Sequence, residues 1–272
     1  MRTRWKIVAF GFLTVTTAPA VRASAAPLEP VGKWDLNYGD ADCLAFRDYG
    51  NVQRPITLAL TESPNGETYE ILVARRSNPP EYAQELQGSV DFGNGPITAW
   101  LLRYRSPTKG YDVYQFRIPA TDMTQARSAK AVTLHIKDAS DFAFTLEAMQ
   151  PLLNGLDACT ADLKRYWNMD GEKDGRIAKP ARGDVRKVFR PTDYPSEAMN
   201  HSQEGDTKYL LLVDEKGKVA GCHLLLASGV PVLDAMGCVV IQERARFQPA
   251  LDSSGKPVRS TFITPKIRWR IG

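Results

Sequence analysis

The chain is 272 residues long with a formal charge of +4. Arg2, Arg4, Lys6 and Arg22 precede any acidic residue, and beyond residue 25 the remaining 31 basic residues equal the 31 acidic ones. A nucleic-acid binder carries a basic footprint; here it goes with the N-terminus, and no nucleic-acid partner is expected.

Arg2, Arg4 and Lys6 also open a three-part pattern. Ile7 to Val21 is mostly apolar but diluted by Thr14, Thr16, Thr17 and Pro19, and Ala23-Ser24-Ala25 supplies small residues at a cleavage site. That is the architecture of a secretory signal peptide over residues 1–25. A spanning helix needs about 20 predominantly apolar residues, so no stable membrane span is expected after cleavage; a retained anchor is the alternative. Export makes disulfides the default for Cys43, Cys159, Cys222 and Cys238. Four cysteines allow three pairings, and two domains with two each favour Cys43–Cys159 and Cys222–Cys238. Zinc needs clustered Cys or His ligands. His135, His201 and His223 form no such cluster, so neither metal nor cofactor is expected.

The length beyond the signal suits two domains, 26–168 and 186–272. The first opens with short segments punctuated by turns: GKWDLNY, CLAFRDYG, PITLALTE and ETYEILVARR. Leu58 to Leu60 and Tyr69 to Val73 have strand character, and Ser63-Pro64-Asn65-Gly66 between them reads as a hairpin turn. Pro96 to Arg105, Tyr111 to Ile118 and Lys130 to Ile136 add strands. From Leu146 to Trp167 the period changes: Met149, Leu152, Leu153, Leu156, Cys159, Leu163 and Trp167 recur at helical spacing. A β-rich domain closed by a C-terminal helix is the expectation. Residues 169–185 are polar, with Pro180 and no apolar period, and read as a linker. Asp170, Glu172, Asp174 and Gly175 imitate a calcium loop, but its twelfth position, which needs a carboxylate, holds Ala181.

In the second domain Pro195 suits the first turn of a short helix over 196–202. Lys208 to Val213 and Lys218 to Ala227 read as a hairpin around Gly217. Pro231 to Arg244 reads as a helix with Val232, Leu233, Met236, Val239 and Val240 inward. A last strand is expected from Val258 to Ile271. The fold class is α+β, the second domain being helix, hairpin, helix and strand on an antiparallel three-stranded sheet.

Tyr194-Pro195 with Ala198, Gly217 before Val219, Ser228-Gly229 with Leu233-Asp234, Arg246-Phe247 with Pro249-Ala250, and Gly255 with Pro257 stand in an order that resembles the TonB C-terminal domain family. The resemblance implies a periplasmic, non-catalytic module that takes an extended partner segment by adding it to the edge of its sheet. It places that edge on the last strand, with Phe262, Thr264, Lys266, Arg268 and Arg270, and implies a protein partner such as an outer-membrane receptor or another envelope protein. Lys266, Arg268 and Arg270 would share one face, either protecting an exposed edge or favouring an acidic segment. The chain departs from the family in having no His before His135, and Met199 where a polar residue is usual. An anchored energy transducer for receptor transport is therefore the alternative reading. A periplasmic enzyme housed in residues 32–167 is the third; against it, no Gly-x-Ser-x-Gly, phosphate-binding Gly loop or His-Glu-x-x-His occurs.

Overall fold

Alternation of apolar and polar side chains builds the first half of the chain, in which Cys43, Ala45, Leu58, Leu60, Ile71 and Val73 all turn to one side. The computed structural model describes residues 26–77, 83–106 and 110–272; the export signal expected over residues 1–25 lies outside the described residues. The strands are β1 (Asp35–Tyr38), β2 (Cys43–Asn51), β3 (Arg54–Glu62), β4 (Thr68–Arg76), β5 (Gln84–Asp91), β6 (Pro96–Arg105), β7 (Tyr111–Pro119), β8 (Ala131–Ile136) and β9 (Phe142–Thr145). They form one antiparallel sheet in the order β1-β2-β3-β4-β7-β6-β5-β8-β9. The sheet curls on itself. Leu28 bridges Phe144 of β9 while Pro30 bridges Tyr49 of β2, so one short stretch ties the last strand to the first long one. The turn read at Ser63 to Gly66 is present, with Gly66 N–H donating to the Ser63 carbonyl at 2.7 Å.

Two strands were not expected from sequence. β5, QELQGSVD, is polar and buries only Val90 among its residues. β9, FAFT, is four residues long and apolar on both faces, too short to show a period of two. The helix α1 (Met149–Tyr166) starts later than Leu146, because Ala148 takes a left-handed conformation at φ 54°. It buries Leu152, Leu153, Leu156 and Leu163 in the core of the large sheet, and Cys159 is disulfide-bonded to Cys43 of β2.

Beyond α1, Ile177, Ala181 and Val185 lie in a second apolar cluster. This part holds α2 (Ser196–Asn200), β10 (Gly205–Val213), β11 (Val219–Leu226), α3 (Pro231–Arg244), β12 (Ala250–Leu251), β13 (Pro257–Val258), β14 (Ser260–Ile263) and β15 (Ile267–Trp269). β10 is central, with β11 on one side and β14 and β15 in line on the other. The hairpin between β10 and β11 requires glycine: Gly217 has φ 75°, and a Cβ there would meet the Phe247 carbonyl oxygen. The Cys222–Cys238 disulfide ties β11 to α3.

Two expectations need correction. Val239 does not face inward but is 46% exposed, and Ile241 takes the core position instead. The last strand is not continuous from Val258 to Ile271. β13 pairs with β12, and the rest breaks between β14 and β15. Leu210 pairs with Ile263 but Thr207 pairs with Ile267, so β14 to β15 carries one residue more than β10. The break is a β-bulge at Thr264-Pro265. Pro265 has no N–H to give a ladder, and the Thr264 side chain enters the ladder as an acceptor, Tyr209 N–H donating to its Oγ1 at 3.0 Å.

The two parts are in contact. Leu212 of β10 joins the core cluster of the large sheet. Asn168 donates to the Arg259 carbonyl at 2.8 Å, and the Arg259 guanidinium lies 4.0 Å from the Tyr166 ring centroid.

Candidate functional site

The bulge at Thr264-Pro265 decides what the last strand presents. On a continuous strand Phe262, Thr264, Lys266, Arg268 and Arg270 would share a face. The extra residue turns the first two away. Phe262 packs against Phe247, with ring centroids 4.8 Å apart, and Thr264 is 1% exposed. Lys266, Arg268 and Arg270 remain together and exposed, while Ile267 and Trp269 point into the core.

Among the described residues, no strand pairs with the outer side of β14 or β15. Tyr209 of β10 uses both backbone groups toward Thr264, its carbonyl accepting from Thr264 N–H at 2.9 Å. Backbone groups alternate in direction along an antiparallel strand. Thr207 and Gly205 of β10 therefore address Ile267 and Trp269, their register partners, and Arg268 turns its N–H and carbonyl toward the open side.

Beside that open edge runs a groove of about 700 Å³, between β15 and the segment from Arg186 to Tyr194. Its apolar wall is aromatic. Phe189 and Tyr194 both meet the Trp269 ring edge-on, at centroid distances of 5.4 and 5.7 Å. Pro191 opens a 3-10 turn that places Tyr194, and the buried Asp193 fixes it. Asp193 accepts from Arg190 N–H at 2.7 Å and from Arg244 at 2.6 Å. The Arg244 guanidinium holds the Asp193 carboxyl below the usual carboxylate range. Arg186, Arg190, Lys266, Arg268 and Arg270 form the basic rim.

Three of these cations are tied down. Arg186 pairs with Asp184 at 3.1 Å. Arg270 reaches Asp206 at 2.7 Å, and Lys266 reaches the same carboxylate at 3.6 Å. Asp206 is pulled below its ordinary value, by Arg270 first and Lys266 after it. Arg268 makes no ion pair among the described residues. The edge thus offers a free backbone N–H and carbonyl, one unengaged cation and an adjoining aromatic wall. That set can bind an extended chain; it holds no nucleophile and general base in contact. The groove wall at Phe189, Tyr194 and Trp269 was not assigned from sequence, although Tyr194 stood within a motif already singled out.

Among the described residues no helix is long and apolar enough to cross a membrane, and no group of three or more His, Cys, Asp or Glu side chains is placed to hold a metal ion. Residues 190–271 match the model of a family described as Gram-negative bacterial TonB protein C-terminal. The match covers the β15 edge and the groove residues from Arg190 onward, and makes this part of the chain similar to that family. No curated protein matches the chain.

Proposed function

We propose that the chain is a non-catalytic periplasmic protein which takes an extended segment of another envelope protein as an added strand along β15. The carrying observation is Arg268, whose backbone faces an unpaired edge beside the groove walled by Phe189, Tyr194 and Trp269. Main-chain hydrogen bonds to that edge supply affinity, and alternate side chains of the incoming segment enter the groove and supply selectivity. The partner is an outer-membrane receptor or another envelope protein. We assign residues 26–168 to one domain, 186–272 to the binding domain and 169–185 to the connection between them.

Arg268→Pro tests this reading. It removes one outward N–H and leaves the β10 ladder its own donors. The variant should keep the wild-type circular dichroism and lose envelope proteins that the wild type captures by affinity purification. An unchanged set of captured proteins would contradict edge binding.

A further inference from the structure

A second cavity, of about 560 Å³, lies between the outer face of the large sheet and the layer made by β11 and α3. Its floor is a row across four strands, in which Trp100 pairs with Arg117, Arg117 with Glu70 and Glu70 with Thr61. The Arg117 guanidinium is already engaged. It donates to Glu70 at 2.6 and 3.1 Å and lies 4.9 Å from the Trp100 ring centroid. Leu102, Leu224, Val232 and the Cys222–Cys238 disulfide supply apolar walls.

Three polar atoms of lining residues have no hydrogen-bond partner among the described residues: Nε2 of His223, Oδ2 of Asp234 and Nε1 of Trp100. The Trp100 N–H is turned toward the Glu85 carboxylate, which leaves the other two open to a ligand. Asp234 is 6% exposed, and its other oxygen accepts from Ser228 N–H at 2.8 Å. The His223 ring is bonded to the Ala41 backbone. A ring that donates one N–H to a carbonyl keeps a lone pair on its other nitrogen. Burial pushes the Asp234 carboxyl up and the His223 imidazole down, as expected for charged forms denied water. The open His223 nitrogen is an acceptor, and the open Asp234 oxygen is one when the carboxyl is ionised, the form that a bound cation favours; a buried acceptor left unmade is costly. Around them the lining carries Asp42, Glu62, Glu70 and Asp234 against Arg105 and Arg117.

We infer that this cavity binds an organic ammonium with an apolar body, its N–H groups donating to Asp234 and His223 and its hydrocarbon lying against Leu102, Leu224 and Val232. An amine head supplies donors only, which is what two vacant acceptors require, and its charge suits a lining with an excess of carboxylates. A carboxylate or phosphate would place further acceptors against acceptors. The site is independent of the β15 edge.

The test is isothermal titration of the full chain with 2-phenylethylamine, and with 3-phenylpropionate and 3-phenylpropanol as probes of similar body and different head. The amine should bind saturably, and the carboxylate at least about tenfold more weakly, as the exchange of a charge-assisted bond for a repulsion demands. Asp234→Asn should weaken amine binding about tenfold. Leu102→Trp, on the opposite wall and outside α3, should abolish it by filling the space. No saturable amine binding, or equal binding of the carboxylate, overturns the inference. So does wild-type amine affinity in Leu102→Trp, which decides the matter alone if Asp234→Asn fails to fold.

Discussion

The Tyr209 hydroxyl donates to the Asp234 carbonyl at 3.0 Å, across a gap kept open by the bare backbone of Gly237. β10 and α3 therefore touch through a side chain on one element and the absence of one on the other. A Cβ at Gly237 would meet the Tyr209 hydroxyl and ring well inside contact distance. Gly237→Ala gains about 1 kcal/mol of helix propensity but overpacks a buried contact, at a cost of about 1–3 kcal/mol. Net destabilisation in urea is expected. Adding Tyr209→Phe removes the atom the new methyl meets first, so the double variant should lose less than the sum of the two single ones. Strict additivity would show that the two positions do not meet.

Asp112 is 0% exposed and lies between two guanidinium groups. Arg103 grips it at 2.9 and 3.0 Å, and Arg75 adds 3.3 Å while also bonding the Tyr114 hydroxyl at 2.9 Å. Removing the carboxylate leaves two half-buried cations facing each other over one ring. Asp112→Ala should cost about 3–5 kcal/mol, read as a lower urea midpoint. A cost near that of an average surface substitution would show that solvent screens the cluster.

The same physics explains what was readable in the sequence. Leu233, Val240 and the breaks at Gly229 and Pro231 are local signals, and they locate α3 to the residue. The buried pair on α3 is Val240 with Ile241, and Val239 falls on the flank; in a run of apolar residues spacing alone does not choose which neighbours face the core. The bulge at Thr264-Pro265 was not legible as such: a strand pattern fixes faces only while register holds. The aromatic wall joins Phe189, Tyr194 and Trp269, which are distant in sequence and meet only through tertiary packing. β5 was invisible because its position in the sheet is dictated by its neighbours and not by its own polar sequence.

Two carboxyls should give opposite responses to pH. Asp234 titrates above its unfolded value of about 3.9, so its ionisation opposes folding. Its contribution is fully present below about pH 4 and is lost as pH rises through the raised folded value. Asp193 titrates below its unfolded value, so its contribution is present above about pH 4 and is lost as pH falls through the folded value. Asp234→Asn should therefore gain stability relative to wild type as pH rises from about 4 to 7, whereas Asp193→Asn should be less stable than wild type above about pH 4 and close that deficit as pH falls below it. Denaturation midpoints at about pH 3, 4 and 7 check the signs. The same sign for both variants would contradict the assignment.

The two disulfides close loops of very different length, spanning sequence separations of 116 for Cys43–Cys159 and 16 for Cys222–Cys238. In the chain-entropy account the long loop is worth about 5 kcal/mol and the short one about 3. Paired Cys→Ser variants should follow that order in guanidinium denaturation. The reverse order would mean that packing around the sulfurs, and not chain entropy, sets their contribution.

Arg268 separates two roles for the basic edge. An open strand edge invites pairing with a second copy, and charged side chains oppose it. Lys266 and Arg270 are drawn toward Asp206, which leaves Arg268 as the cation on β15 without an ion pair among the described residues. Arg268→Val removes that charge and adds a β-branched side chain suited to strands. If the charge protects the edge, this variant should dimerise or form larger species in sedimentation velocity, and Arg268→Lys should stay at the wild-type sedimentation coefficient. If the charge serves only an acidic partner, Arg268→Val should sediment as the wild type does and lose affinity for an acidic peptide. Arg268→Glu should then lose more, because it places like charges against each other. Self-association of both Arg268→Val and Arg268→Lys would exclude charge as the protecting feature.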